Sequence, residues 1–203
     1  MSLRTFTAGL SVALISIIAT PVAAQDTPPN PRVLVETNQG DFEIELFKDQ
    51  VPATVVNFLM YVQAGYYEGT VFHRIIRDMI VQGGGLVTGE DNQVIPKVDG
   101  LRGQILNEAS NNLKNSRGTV SMARNAAPNT ARSQFFITLD NNVSFNHKND
   151  TPQGFGYAVF GRITDGMNTV RRMGNVRTGN QGDLRDVPLS PIVILSITQV
   201  ATQ

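Results

Sequence analysis

The sequence predicts a mainly β chain: an eight-stranded antiparallel barrel, closed or nearly closed and capped by two α-helices. Three observations predict it. Asp41 to Phe47 alternates strictly between polar and apolar residues. About eight short strand-like runs are spread along the chain. Only two segments switch to the helical period. Composition and spacing leave a two-sheet sandwich open as the alternative.

The first 24 residues read as an address and not as structure. Arg4 gives a positive start, Leu10 to Ala19 is an apolar run too short for a comfortable membrane span, and Pro21-Val22-Ala23-Ala24 offers small residues for cleavage after Ala24. Cleavage takes 24 of 203 residues and leaves 179; with Arg4 lost, 16 basic residues face 17 acidic ones, a net charge of −1. Export into a bacterial periplasm fits this leader. Residues 25–31 (QDTPPNP) form a polar, proline-rich linker, and the folded domain is expected over 32–203.

Val33 to Thr37 and Asp41 to Phe47 flank the turn signal Asn38-Gln39-Gly40, which makes a hairpin with Phe42, Ile44 and Leu46 on its buried face. In Pro52 to Ala64, Val55, Phe58, Leu59 and Val62 stand at i, i+3, i+4 and i+7; Pro52 suits the first helical turn and Gly65 the position just past the end. Further strands are expected over Thr70–Ile76, Met79–Gln82, Gly118–Ala123, Gln134–Leu139, Tyr157–Ile163 and Ile192–Val200. A second helix is expected over Gly166–Met173, with Asp165 as N-cap and Gly174 as its stop. The Gly- and Asn-rich stretch between Gly83 and Gly118 reads as long surface loops.

Composition narrows the chemistry. The chain has no Cys, which excludes disulfides, thiolate zinc sites, iron–sulfur clusters and cysteine nucleophiles. Two histidines, His73 and His147, argue against a multi-His metal site, and no cofactor is expected. Balanced charge, 17 basic against 17 acidic residues, argues against a general nucleic-acid or acidic-membrane binder.

Taken as residues alone, the candidates keep two readings each. Arg74 sits in an apolar run, on the opposite parity from His73; it is either a structural ion pair with a snorkelled stem or a guanidinium aimed at a ligand. Gln82 and Gln134 lie at strand edges, where amides usually satisfy backbone groups. Phe135 and Phe136 point to opposite faces, one to the core and one toward a possible groove. His73 reads more readily as a core histidine than as a base.

The series Phe72-His73-Arg74-Ile75-Ile76, Gln82-Gly83-Gly84, Ser121-Met122-Ala123, Ser133-Gln134-Phe135-Phe136-Ile137 and Gly156-Tyr157-Ala158-Val159-Phe160-Gly161 resembles the cyclophilin family of peptidyl-prolyl cis–trans isomerases. The resemblance runs from Arg32 to Val200, and the leader with the GYAVFG loop makes the chain similar to the bacterial exported subgroup. It implies the barrel and an isomerase acting on X–Pro bonds during folding of exported proteins. It also implies that Arg74 is catalytic, that Gln82, Gln134, Phe136 and Ala123 line the substrate groove, and that His73 is a structural neighbour. Met79, Ile80, Asn125, Phe145 and Tyr157 complete the implied substrate-binding set. The implied partners are proline-containing unfolded or extended polypeptides, met by a monomeric chain with no nucleic acid and no stable membrane insertion after cleavage.

The chain departs from the family pattern at named places. Arg77-Asp78-Met79 stands where Pro-Gly-Phe is common, so Met79 takes the place of an aromatic wall with a flexible thioether. There is no Trp, and a gap leaves either Ser144 or Phe145 at the family's Trp position; tight cyclosporin binding is therefore not expected. Tyr157 replaces a His. The loop from Arg124 to Thr130 is one residue longer than usual, which leaves the family's substrate-binding Asn to either Asn125 or Arg124. Two other function classes stand beside the isomerase. A holdase would use the same groove with poor turnover; a Ser/His/Asp hydrolase lacks the Gly-x-Ser-x-Gly elbow.

Overall fold

The computed structural model describes Met1 and residues 30–200. The leader, and the linker up to residue 29, lie outside the described residues.

Strand β1 (Arg32–Thr37) and β2 (Phe42–Leu46) form the expected hairpin, with Val33 opposite Ile44 and Val35 opposite Phe42, all four buried. Helix α1 (Pro52–Gln63) follows, with Pro52 at its start and Gly65 beyond its end at φ 62°, the left-handed region that glycine enters without strain. Its first turn has no side-chain cap of its own. Glu108, far along the chain, supplies one: its carboxylate accepts from the Ala53 and Thr54 N–H groups at 3.3 and 2.8 Å and from the Thr54 hydroxyl at 2.6 Å.

Strand β3 (Thr70–Ile76) pairs with β4 (Ile80–Thr88), which runs well beyond its expected end at Gln82 and pairs in turn with the short β5 (Val94–Pro96). Part of the expected loop region 83–118 is thus sheet. Its glycines are there for room: a Cβ on Gly83 would come within 2.7 Å of the Phe72 ring, and one on Gly85 within 2.4 Å of the Gln134 side chain. Then come β6 (Thr119–Met122), β7 (Phe135–Thr138), β8 (Val159–Asp165) and helix α2 (Met167–Met173). Asp165 belongs to β8, and the N-cap of α2 is Gly166 at φ 78°, packed so closely on Phe42 that a side chain there would clash. A hairpin not expected from the sequence, β9 (Thr178–Gln181) with β10 (Leu184–Pro188), precedes the last strand, β11 (Ile194–Val200).

The main sheet runs β11-β1-β2-β8-β6-β7-β4-β3, the eight strands expected. It curls until its edges meet: Val71 and Val193 form a bridge, and Phe72 and Gly69 donate to the Ile192 and Ile194 carbonyls at 2.9 Å each. This is the nearly closed barrel, and the sandwich is set aside. Phe58 of α1 enters the interior against Tyr67, Phe135 and Phe160, with ring centroids 5.1–5.7 Å apart, and Val170 and Met173 of α2 are buried in the same core.

The β3–β4 register holds a bulge. Phe72 faces Gly83 and Arg74 faces Gln82, so His73 is an extra residue on β3. Phe72 and Ile75 both point into the core, and the two residues between them share what simple alternation gives to one.

Candidate active site

The bulge sets the face on which Arg74 lies. Beyond it, Arg74 stands opposite Gln82, Gln82 opposite Phe136, and Phe136 opposite Ser121. These four residues form one row across β3, β4, β7 and β6 on the outer face of the barrel. Directly opposed residues of an antiparallel pair hold their Cβ atoms about 5 Å apart. Arg74 and Phe136 are therefore two strands apart, with Gln82 between them. Phe135, the neighbour of Phe136, turns into the core, as the alternation requires.

The Phe136 ring is buried, though not in the barrel core. Phe145 and Tyr157 cover it edge-on, with centroids at 5.5 and 5.4 Å, and they stand 5.3 Å from each other. Ser144 is exposed and bonds to Asn142, so Phe145 is the one of the two candidates that joins the aromatic cluster. Gln82 donates from its amide to the Gln134 amide oxygen at 3.0 Å, and Gln134 lies in the space that Gly85 leaves open. The Ala123 N–H donates to the Gln134 carbonyl at 2.9 Å. Ile80 is buried on the next row, between Ile76 and Thr138. Met79 is exposed in the β3–β4 turn, next to Asp78 at φ 58°, a position that Asp tolerates better than most residues. Asn125 is exposed on the rim. A cleft of about 330 Å³ adjoins the row and is lined in part by Gln82, Ala123, Asn125 and Gln134.

Arg74 is half-exposed, and its Nε lies 3.9 Å from an oxygen of Asp186 on β10, whose side chain is exposed to the same degree. His73 is buried, with Nδ1 lacking a protein partner. Burial, with the Arg74 charge as a further contribution, lowers its pKa to about 4, so it is neutral near pH 7. Nothing in the row is an activated nucleophile or an acid–base pair; with its neighbour Gln134 it offers one cation, two amides and an apolar floor.

Three residues around the row were not singled out from the sequence. Asp186 sits on the unexpected hairpin. Asn115 is buried, accepts from the Ser121 hydroxyl at 2.8 Å and donates to the Phe145 and Tyr157 carbonyls at 3.1 and 3.4 Å. Arg124, weighed only as an alternative to Asn125, bonds to four backbone carbonyls and lies over the Tyr157 ring.

Residues 32–199 match the family model described as cyclophilin type peptidyl-prolyl cis-trans isomerase/CLD. The chain belongs to the cyclophilin family. Among curated relatives of this cyclophilin, peptidyl-prolyl cis-trans isomerase B of Escherichia coli (strain K12) is 43% identical over 166 residues, which cover 82% of this chain and 98% of that one. Peptidyl-prolyl cis-trans isomerase A of Dickeya dadantii (strain 3937) is 38% identical over 196 residues, 97% of each chain. Among solved structures, a Cryptosporidium parvum cyclophilin type isomerase superposes with a TM-score of 0.68 at 31% identity, covering 86% of this chain and 99% of its own. A structure of the same isomerase in the presence of the dipeptide Ala-Pro gives 0.66 at 32%, covering 84% and 99%. This cyclophilin is thus a peptidyl-prolyl cis–trans isomerase, and its described residues form a curled antiparallel sheet with two α-helices.

Proposed function

We propose that this isomerase binds an X–Pro segment across the row of Arg74, Gln82 and Phe136, and that Arg74 stabilises the twisted amide. The planar peptide bond is held by resonance, with a barrier of roughly 18–20 kcal/mol. Rotation breaks no bond and needs neither a nucleophile nor proton transfer. As the bond twists, the nitrogen lone pair leaves the π system and becomes a hydrogen-bond acceptor. A guanidinium held at that nitrogen binds the twisted form better than either planar form, which is what lowers a barrier. Arg suits the task because it stays charged and presents donors in a rigid plane. Phe136, walled by Phe145 and Tyr157, anchors the pyrrolidine ring, and its apolar surroundings strengthen the contact with the cation. Gln82, Gln134 and the Ala123 backbone hold the extended chain. Met79, Ile80 and Asn125 border it.

The observation that carries this reading is the strand register, which sets Arg74 and Phe136 on one face with Gln82 between them. The test is Arg74→Ala, assayed by cis-to-trans exchange of a short Ala-Pro peptide. kcat/KM is expected to fall by about two orders of magnitude, the scale of losing one transition-state donor. The melting temperature should hold, because the side chain is half-exposed. Turnover within threefold of the parent would remove Arg74 from the mechanism.

The substrates we assign are proline-containing segments of exported, still-unfolded proteins, met in the periplasm. The support is the leader-like composition of residues 1–24, with its apolar run and small residues before Ala24. Fusing residues 1–31 to a reporter and finding it retained in the cytoplasm would overturn this assignment.

A further inference from the structure

We propose that Arg124 is a positioning residue of the isomerase, a clamp that seats Tyr157 and Phe145 over Phe136. This rests on the reading of those three rings as the proline site. The Arg124 Nε donates to the Gly156 carbonyl at 2.9 Å. One terminal nitrogen donates to the Asn125 and Ala126 carbonyls at 2.9 and 3.0 Å, and the other to the Pro152 carbonyl at 2.9 Å. The same guanidinium lies 4.9 Å from the centre of the Tyr157 ring. Among the described residues no carboxylate lies within ion-pair distance of Arg124; carbonyl oxygens and one ring face balance its charge.

The pull on Gly156 reaches two of the rings. Gly156 adopts φ 76° and is pressed so tightly on the Phe145–His147 backbone that a Cβ would lie 2.5 Å from the His147 nitrogen. The next N–H, that of Tyr157, donates to the Phe145 carbonyl at 2.9 Å. Moving Gly156 therefore moves Phe145 and Tyr157 together. Only a planar fork with several donors spans these three stretches of backbone at once; a Lys ammonium on the same stem is a single point. Arg124→Lys is thus expected to keep the charge and lose the clamp.

The experiment is a double-mutant cycle on the full-length protein with Arg124→Met and Tyr157→Leu, and with Arg124→Lys alongside, assayed on the Ala-Pro peptide with kcat and KM separated. Each single variant is expected to lose about tenfold in kcat/KM, chiefly through KM, and the double variant to be no worse than either. 3-Fluorotyrosine labelling supplies a second readout: Tyr157 is the one tyrosine outside the Tyr61–Tyr66–Tyr67 cluster, and its 19F signal should shift or broaden in both Arg124 variants while the other three hold. Multiplicative losses, or an Arg124→Lys variant with parental KM and an unmoved Tyr157 signal, would overturn the clamp. Tyr157→Leu with parental kinetics would instead overturn the ring reading on which the clamp rests, so the two failures are distinguishable.

Discussion

Asp186 is the carboxylate within ion-pair distance of Arg74 among the described residues, and Asp186→Asn tests whether it restrains the guanidinium. The two side chains are 44% and 43% exposed and their charged atoms are 3.9 Å apart. At that separation the attraction is about 1 kcal/mol in water, and exposed pairs retain roughly 0.2–1 kcal/mol once side-chain ordering and salt are counted. A contact of that size shifts the occupancy of a guanidinium position by fivefold at most, since about 1.4 kcal/mol makes a factor of ten. Asparagine keeps the volume and also tolerates the left-handed backbone that Asp186 adopts at φ 59°, so the substitution removes charge and little else. The expected result is kcat/KM within fivefold of the parent, a difference that shrinks further in 0.5 M salt, and a melting temperature within about 2 °C. The assay is Ala-Pro exchange at low and high salt beside a thermal melt. A tenfold rise would mean that Asp186 restrains Arg74 away from the groove, and a tenfold fall that the carboxylate is part of the machinery; either refutes the picture of a free guanidinium with a weak neighbour.

Glu108→Ala removes three hydrogen bonds from the first turn of α1 and is expected to cost about 2 kcal/mol, read as a lower urea midpoint with catalysis at 25 °C unchanged; an unmoved midpoint would show that the turn needs no cap. His73 gives a pH dependence of definite sign. Its folded pKa, near 4, lies below the ordinary 6.5, so on acidification the unfolded chain takes up the proton first, and stability is lost as pH falls from 6.5 toward 4, by about 3 kcal/mol in all. Urea midpoints of parent and His73→Gln measured from pH 4 to 8 should diverge over that window alone; parallel curves would remove His73 as the source.

β1 and β2 were readable because each buries one face and so writes a two-residue period into the sequence; β7, buried at every position, and the other five barrel strands each wrote a short run rich in apolar residues. β5, β9 and β10 bury too little to write one: the Thr178–Gln181 strand alternates only between exposed and half-buried. β4 was cut short at Gln82 because Gly83 to Gly85 read as a breaker. Those glycines instead make room for the Phe72, Phe135 and Gln134 side chains. The bulge at His73 left no mark in the composition either, and simple alternation would have put Phe72 and Arg74 on one face. Arg74, Gln82 and Phe136 were therefore found by resemblance, and their common row became visible only with the register. Arg124 was missed for another reason: its partners are backbone carbonyls of residues 125, 126, 152 and 156, and no side-chain pattern announces them.

The seam of the barrel has a consequence for biosynthesis. β11 zips along β1, and the Ile192 and Ile194 carbonyls at its start accept from Phe72 of β3 and from Gly69 just before that strand. The last barrel strand in sequence is thus the lacing between the first barrel strand and the strand that carries Arg74. A ribosome must release residues up to Val200 before that lacing can be drawn, so the barrel closes only after every other barrel strand has been made, and a chain stopped short of Ile192 leaves β3 with a bare margin.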